Sequence, residues 1–294
     1  MAAPLPVVFG EVLFDRFPGE AAVLGGAPFN VAWNLQGLGL SPLFVSRVGD
    51  DESGADVLAR MRAHGMRTDG VQLDVQRPTG AVEVTLEGGQ PSYEILPDQA
   101  YDHVDPSEMP EISEPRLLYH GSLALRHPVS RQGFAALRDK TQAPRFVDVN
   151  LRAPWCDRDF VCELIEGAAW VKLNGDELNE LSGDCTGELL ERAQRFRDRY
   201  GIGSLVLTLG AEGACVLANG EDPHHVRPEG EIQVVDTVGA GDAFASVLIL
   251  GIVRGWTWSV TLERAQQFAA AICTLRGATV DDTRFYSRFA GEWN

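Results

Sequence analysis

Asp236-Thr237-Val238-Gly239-Ala240-Gly241-Asp242 runs directly into the apolar stretch Ala243 to Val253. Upstream, Ile232-Gln233-Val234-Val235 reads as a short strand, so the segment is a strand, a glycine turn and a helix start. Gly239 and Gly241 allow a sharp turn and a close backbone approach to a ligand. A helix beginning here aims its free N–H groups at one spot, which suits a transferring phosphoryl group. Asp242 lies in the first turn beside that spot, where a carboxylate can accept the proton of an attacking hydroxyl. Taken alone, a capped helix packed on a strand is the favoured reading of these residues. A dinucleotide fingerprint fails because Phe244 occupies the third glycine position. A Walker loop fails because the chain has no Gly-Lys pair, and His-Arg-Asp and Asp-Phe-Gly are absent too.

Outward from this segment, strand and helix patterns alternate along the chain, which predicts an α/β layered fold. Buried strands are expected at 7–9, 43–45, 117–119, 145–149, 170–173 and 205–209. Ligands collect beyond the ends of such strands, which makes Asp148, Asn150, Asn174 and Glu177 site candidates by position. Helices are expected from Pro28 to Leu38 with Gly39 closing, over 55–64, and near the C-terminus over 240–253 and 262–275, with Gly277 as the stop. Residues 79–86 alternate instead: Val82, Val84 and Leu86 on one face, Glu83, Thr85 and Glu87 on the other. Gly88-Gly89 and Ser92-Tyr93-Glu94-Ile95 follow, which reads as a hairpin flap that could join residues 20–24 in a small accessory sheet. The stretch 105–115 reads as a surface loop.

A chain of 294 residues that is 45% hydrophobic can bury a large core and is not disordered. Its net charge of −17 argues against non-specific binding to nucleic acid or an anionic membrane, yet backbone N–H groups still bind phosphate in an acidic protein. Only two lysines occur, Lys140 and Lys172. Five scattered cysteines (156, 162, 185, 215, 273) form no C-x-x-C pair, so free thiols are expected rather than disulfides or structural zinc. No apolar run reaches the roughly 20 residues of a membrane span, and the N-terminus lacks a signal-peptide pattern, so the cytosol is the expected compartment.

Two motifs at opposite ends of the chain then carry a resemblance. Asp236-Thr-Val-Gly-Ala-Gly-Asp242-Ala-Phe244 resembles the C-terminal signature D-T-x-G-A-G-D-x-F of the PfkB (ribokinase-like) carbohydrate kinases. Gly25-Gly26-Ala27-Pro28-Phe29-Asn30-Val31-Ala32, continuing through Leu38-Gly39 to Val48-Gly49-Asp50-Asp51 and Gly54, resembles their N-terminal signature. The resemblance implies one kinase domain over 1–294, a three-layer α/β/α sandwich with a mostly parallel sheet, and a small β lid from about 11–24 and 79–101. It implies Asp242 as general base, the N–H groups of Gly239, Ala240 and Gly241 as an anion hole, and Asp15, Gly25, Gly26 and Asn30 at the sugar. Alone, Asn30 is more often a cap or a solvent-facing side chain. Thr208-Leu-Gly210-Ala-Glu-Gly213 resembles the nucleotide-proximal T-x-G-x-x-G turn, and Asn174-Gly-Asp-Glu177 the N-x-x-E motif associated with Mg²⁺ and phosphate. Glu177 would act through metal-bound water, although a helix-start carboxylate is an equal reading of it without the family. A monovalent cation such as K⁺ would meet Asp236 and the carbonyls of Val238, Ile272 and Gly277, and the adenine would meet the last helix near Gln266 to Ala270.

Gly121-Ser-Leu-Ala-Leu125, Asp148-Val-Asn-Leu-Arg152, the lid stretch through Tyr93 and Asp98 to Asp102 resemble the fructokinase branch. Val149 stands where that branch has proline, and Phe29, where alanine is commoner, is expected to narrow the pocket. Fructose, ATP and Mg²⁺ are thus the expected ligands, with Tyr93 and Arg152 near the sugar. Arg16 and Arg152 keep 2-keto-3-deoxygluconate kinase open as the rival, since they could hold a carboxylate. A catalytically silent sugar-binding protein on the same fold is the alternative from another class. A lid with an apolar face predicts a homodimer.

Overall fold

Val7, Val8 and Phe9 are all buried, as a strand covered on both faces requires. Val8 joins one core cluster while Val7 and Phe9 join another, the alternation expected when successive side chains leave opposite faces of a sheet. The computed structural model describes every residue except 1–4, 88–89, 113, 156, 184–185, 229, 231–232 and 294. In chain order its strands are β1 (Val7–Phe9), β2 (Leu13–Arg16), β3 (Val23–Gly25), β4 (Leu43–Gly49), β5 (Val71–Asp74), β6 (Gly80–Glu87), β7 (Gln90–Ile95), β8 (Leu118–His120), β9 (Arg145–Asp148), β10 (Trp170–Asn174), β11 (Ser204–Thr208), β12 (Ala214–Ala218) and β13 (His224–Val226). The helices are α1 (Ala27–Gly37), α2 (Glu52–Ala63), α3 (Pro128–Thr141), α4 (Arg158–Ile165), α5 (Gly175–Ser182), α6 (Leu189–Arg199), α7 (Ala240–Arg254), α8 (Trp258–Ile272) and α9 (Thr283–Trp293).

Among the described residues, nine strands form the main sheet in the order β13-β12-β11-β10-β9-β8-β1-β4-β5. From β11 to β5 every neighbouring pair is parallel, while β12 and β13 add an antiparallel edge. One face carries Val8, Phe44, Tyr119, Phe146 and Val206 against α1, α7, α8 and α9. The opposite face packs Val171, Leu173, Leu205 and Leu207 against α4 to α6, and Phe9 and Leu118 against Phe134 and Leu137 of α3. This is the ribokinase-like α/β arrangement, with a sheet between two helical layers. A second sheet of four strands, β3-β2-β6-β7, is the expected lid hairpin joined by residues 13–16 and 23–25. Its Gly88-Gly89 turn lies outside the described residues.

The six expected buried strands are all present. The strand expected at 232–235 is not. Ile232 lies outside the described residues, and Gln233 to Val235 form no ladder. Val234 and Val235 are more than half exposed, and the N–H of Val235 donates to the Cys273 carbonyl at 2.8 Å. Their β-branched side chains favour extended backbone, but among the described residues no strand pairs with them. Helix α8 ends at Ile272, so Leu275 and Gly277 lie beyond it in a loop. Phe29 also departs from expectation. It is fully buried against Trp33 and Phe44, with ring centroids 5.6 and 5.7 Å apart, and belongs to the core rather than to a pocket wall. Cys162, Cys215 and Cys273 are free thiols; Cys156 and Cys185 lie outside the described residues. No helix of the described chain is long and apolar enough to cross a membrane.

Candidate active site

The chain leaves β1 toward β4 and β5 on one side, and from β8 onward builds the other side. Strand order reverses between β1 and β8, and a crevice opens at the carboxyl ends of two such strands. The residues just past β1 are Gly10 and Glu11. Glu11 is only 3% exposed, and its Oε2 has no hydrogen-bond partner among the described residues. Burial pushes its carboxyl up to about 7, with the nearby Asp242 charge adding to the rise and its own N–H, Arg152 and the Ala124 N–H opposing it.

Helix α1 starts against this point. Gly26, its N-cap, has φ +110°, and a Cβ there would stand 2.7 Å from the Glu11 carbonyl oxygen. Only glycine permits both the conformation and the approach. Asp15 Oδ2 and Asn30 Oδ1 lie 3.7 and 4.0 Å from the position a Cβ of Gly25 would take, so Asp15, Gly25 and Asn30 share one corner. Asn30 is buried, and its Oδ1 has no partner among the described residues. Its Nδ2 donates to Asp242 Oδ2 at 2.8 Å. That bond exists because α1 packs on α7, whose nine consecutive buried residues Ala243 to Gly251 make it apolar on every side.

Asp242 occupies the third position of α7, behind the N-cap Gly239 with φ +77°. A Cβ at Gly239 would come within 2.3 Å of the Ala278 Cβ, so the turn cannot carry a side chain. Burial raises the Asp242 carboxyl to about 6; Asp148 adds to the rise, while the Asn30 bond, Lys172 and Arg152 pull it down. It is therefore mostly ionised at neutral pH and basic enough to take a proton from a hydroxyl held beside it. Arg152 is exposed, and its charge reaches Glu11, Asp15 and Asp242. Asp15 is raised by burial and partly restored by that guanidinium. Tyr93 lies opposite Val84, on the small-sheet face that also carries Val82 and Asp15, and at 55% exposure it stands at the open rim of that face.

On the other side of the Gly239–Asp242 turn lies a cavity of about 700 Å³. Its walls include Ala240 and Gly241, the strand-end residues Asn174 and Thr208, Gly210 and Gly213 of the following turn, and Gln266, Ala269 and Ala270 of α8. The expected nucleotide residues thus share one concavity that opens onto the α7 N-terminus. Gly213 has φ +98° and lets β12 turn back under Val226. Asn174 and Glu177 form a reciprocal cap on α5: Asn174 Oδ1 accepts from the Glu177 N–H at 2.9 Å, and Glu177 Oε2 accepts from the Asn174 N–H at 2.8 Å. Glu177 Oε1 accepts from the Leu151 N–H at 3.0 Å, and burial raises its carboxyl. Among the described residues no three His, Cys, Asp or Glu side chains cluster to hold a metal. Asp236 accepts from the N–H groups of Val238 and Gly277, each at 3.0 Å, which ties the turn before α7 to the loop after α8.

The corner at Asp15, Gly25 and Asn30 and the glycine-floored cavity thus meet across one helix start. The family model described as pfkB family carbohydrate kinase matches residues 18–284. The chain belongs to this family. A fructokinase of Klebsiella pneumoniae is 30% identical over 259 residues, covering 83% of each chain. An aminoimidazole riboside kinase of Salmonella typhimurium is 29% identical over 269 residues, covering 86% of this chain and 83% of that one. A Vibrio cholerae fructokinase structure with fructose, ADP and calcium superposes with a TM-score of 0.81 at 25% identity, over 97% and 98% of the two chains. As a PfkB carbohydrate kinase it is a sugar phosphotransferase, and relatives at this distance act on different sugars.

Two buried groups at the kinase's site escape motif reading. Glu11 could have been found by the same strand-end rule that singled out Asp148, because it follows the first apolar run. Lys172 is the other: Nζ donates to Asp148 Oδ1 and Oδ2 at 2.8 and 3.0 Å. Only its rarity as one of two lysines marked it.

Proposed function

We propose that this chain transfers the γ-phosphoryl group of ATP to a hydroxyl of a neutral sugar, with fructose the first choice. The observation that carries the reading is the 2.8 Å bond from Asn30 to Asp242, which joins the sugar-side corner to the start of α7. A hydroxyl entering beside Asn30 meets Asp242 as its general base, and the N–H groups of Gly239, Ala240 and Gly241 receive the phosphoryl oxygens. Asp15, Gly25, Gly26 and Asn30 hold the other hydroxyls, with Tyr93 and Arg152 at the rim. Asn174, Thr208, Gly210, Gly213 and Gln266 line the ATP side. Glu177, with both oxygens already accepting backbone bonds, would hold a Mg²⁺ ion through water, and such an ion would supply neutralisation of phosphate charge. Asp236, held by Val238 and Gly277, is the carboxylate for a monovalent cation, with the carbonyls of Val238, Ile272 and Gly277.

Charge favours a neutral sugar. Glu11, Asp15 and Asp242 share the guanidinium of Arg152, and the nearby cations Arg126 and Lys172 are already paired with Asp102 and Asp148, so a sugar acid or sugar phosphate would meet a surplus of carboxylates. Arg152 is nonetheless exposed, which keeps 2-keto-3-deoxygluconate as the second reading. Coupled assay of ADP formation across fructose, 2-keto-3-deoxygluconate, ribose and nucleosides decides. Fructose is expected to give the highest kcat/KM. A preference for the acid sugar moves the assignment to the second reading, and sugar binding with no ADP formed would make the chain a silent binder. Pairing of two copies through the small sheet completes the proposal, supported by the exposure of Val23 and Tyr93 on it.

A further inference from the structure

Lys172 sits in β10 between Val171 and Leu173, which face the core under α4 to α6, so its own side chain leaves the opposite face of the sheet. It is 7% exposed. The only other lysine, Lys140, is exposed near the end of α3. The Lys172 ammonium spends two N–H groups on Asp148, itself bonded by the Tyr119 hydroxyl at 3.3 Å. The third N–H has no partner among the described residues. Nζ stands 3.6 Å from where a Cβ of Gly241 would be, beside the N–H groups at the start of α7, and its charge is felt by Asp242 and Glu177 alike. Thus the ammonium lies at the start of α7, within reach of the charges of both Asp242 and Glu177.

Stability is a weak reason to keep such a pair, because a buried ion pair is often matched or bettered by apolar residues of similar size. We propose that Lys172 is a catalytic residue whose free N–H contacts the phosphoryl group in transit, with Asp148 as the positioning residue that holds the ammonium there. The inference rests on the Asp242 reading above. In the transfer, the sugar oxygen forms its bond to the γ-phosphorus as the bond to the β,γ-bridging oxygen breaks. The sugar proton goes to Asp242, ADP leaves, and Lys172 keeps all its protons. Gly241 is small enough for the phosphoryl group to reach the backbone N–H groups and the ammonium together.

The test compares Lys172→Met, the double variant Lys172→Met/Asp148→Asn and the wild type on the sugar that the wild type phosphorylates best. The double variant removes both charges and so avoids stranding a buried carboxylate. Both variants are expected to lose on the order of 100-fold or more in kcat, with KM for sugar within a few-fold. The acid limb of kcat/KM should also move to higher pH in Lys172→Met, because a cation facing Asp242 is gone; its other neighbours, Asn30, Asp148, Arg152 and Glu11, remain. That shift reports loss of the cation whichever role Lys172 plays; the fall in kcat with KM for sugar kept is what a merely structural lysine would not produce. A folded double variant with turnover within about five-fold of wild type overturns the role of Lys172 while leaving Asp242 as base. Wild-type protein that binds sugar but forms no ADP overturns both.

Discussion

Asp242 is tuned by four neighbours that pull in different directions. Burial and Asp148 favour its protonated form, while the Asn30 amide, Lys172 and Arg152 favour the carboxylate. The result, about 6, sets a sign: as the proposed base, Asp242 is competent above that pH and loses that competence as pH falls through it. The rate with the best sugar should therefore decline on an acid limb near about 6, measured as kcat/KM against pH. Asp242→Asn keeps the bulk and a hydrogen-bonding group but cannot take the proton. We expect turnover to fall by roughly 10²- to 10⁴-fold with sugar affinity, read by calorimetry, within a few-fold. Near-normal turnover would remove Asp242 from the role of base. Motifs gave Asp242 and Asn30 their place in the reading, whereas Glu11 and Lys172 were hidden. Applied to the first apolar run, the strand-end rule reaches Glu11, whereas a lone Lys within a strand acquires meaning only when the strand order shows which strand ends converge.

At the scale of elements, the small sheet is fastened to the main body by Arg126. Its Nε and Nη2 meet the two Asp102 oxygens at 2.7 Å each, and Nη2 also donates to the carbonyl of Leu96, just past β7, at 2.6 Å. Both side chains of the ion pair are at most 5% exposed. Removing one partner of such a pair leaves a buried charge uncompensated, so Arg126→Ala should cost about 3–5 kcal/mol in urea unfolding. Arg126→Lys should recover little, because a single ammonium cannot copy the two-pronged bond. A loss below about 1 kcal/mol would show that solvent reaches Asp102 and repairs the gap. The strands that were legible were the continuous apolar runs, β1, β4, β8, β9, β10 and β11. β5 and β13 were not, since Val71-Gln-Leu-Asp and His224-His-Val mix polar residues into short edge segments. Residues 233–235 misled in the other direction, because β-branched composition was read without the partner strand that gives it meaning.

For the whole molecule, the alternation of apolar runs and helices was enough to anticipate the layered α/β architecture, and the lid followed from a change of period from 3.6 to 2 at Thr79. What lay beyond reach was which surfaces remain open. Val23 and Tyr93 share a face of the small sheet by register and stay 39% and 55% exposed. If that sheet pairs with a second copy, sedimentation should give twice the monomer mass, and Tyr93→Glu should shift it toward one copy by placing like charges across the two-fold axis. A single-copy mass for the unaltered protein would sink the pairing.

The Asn30–Asp242 bond spans 212 residues of chain. A ribosome adding about 5–20 residues per second delivers Asp242 roughly 10 to 40 s after Asn30 has been made. Throughout that interval the nascent chain can shape its hydroxyl-holding corner yet has no group to accept the hydroxyl's proton. With Asp242 as the proposed base, unfinished chains and products truncated before α7 would transfer no phosphoryl group.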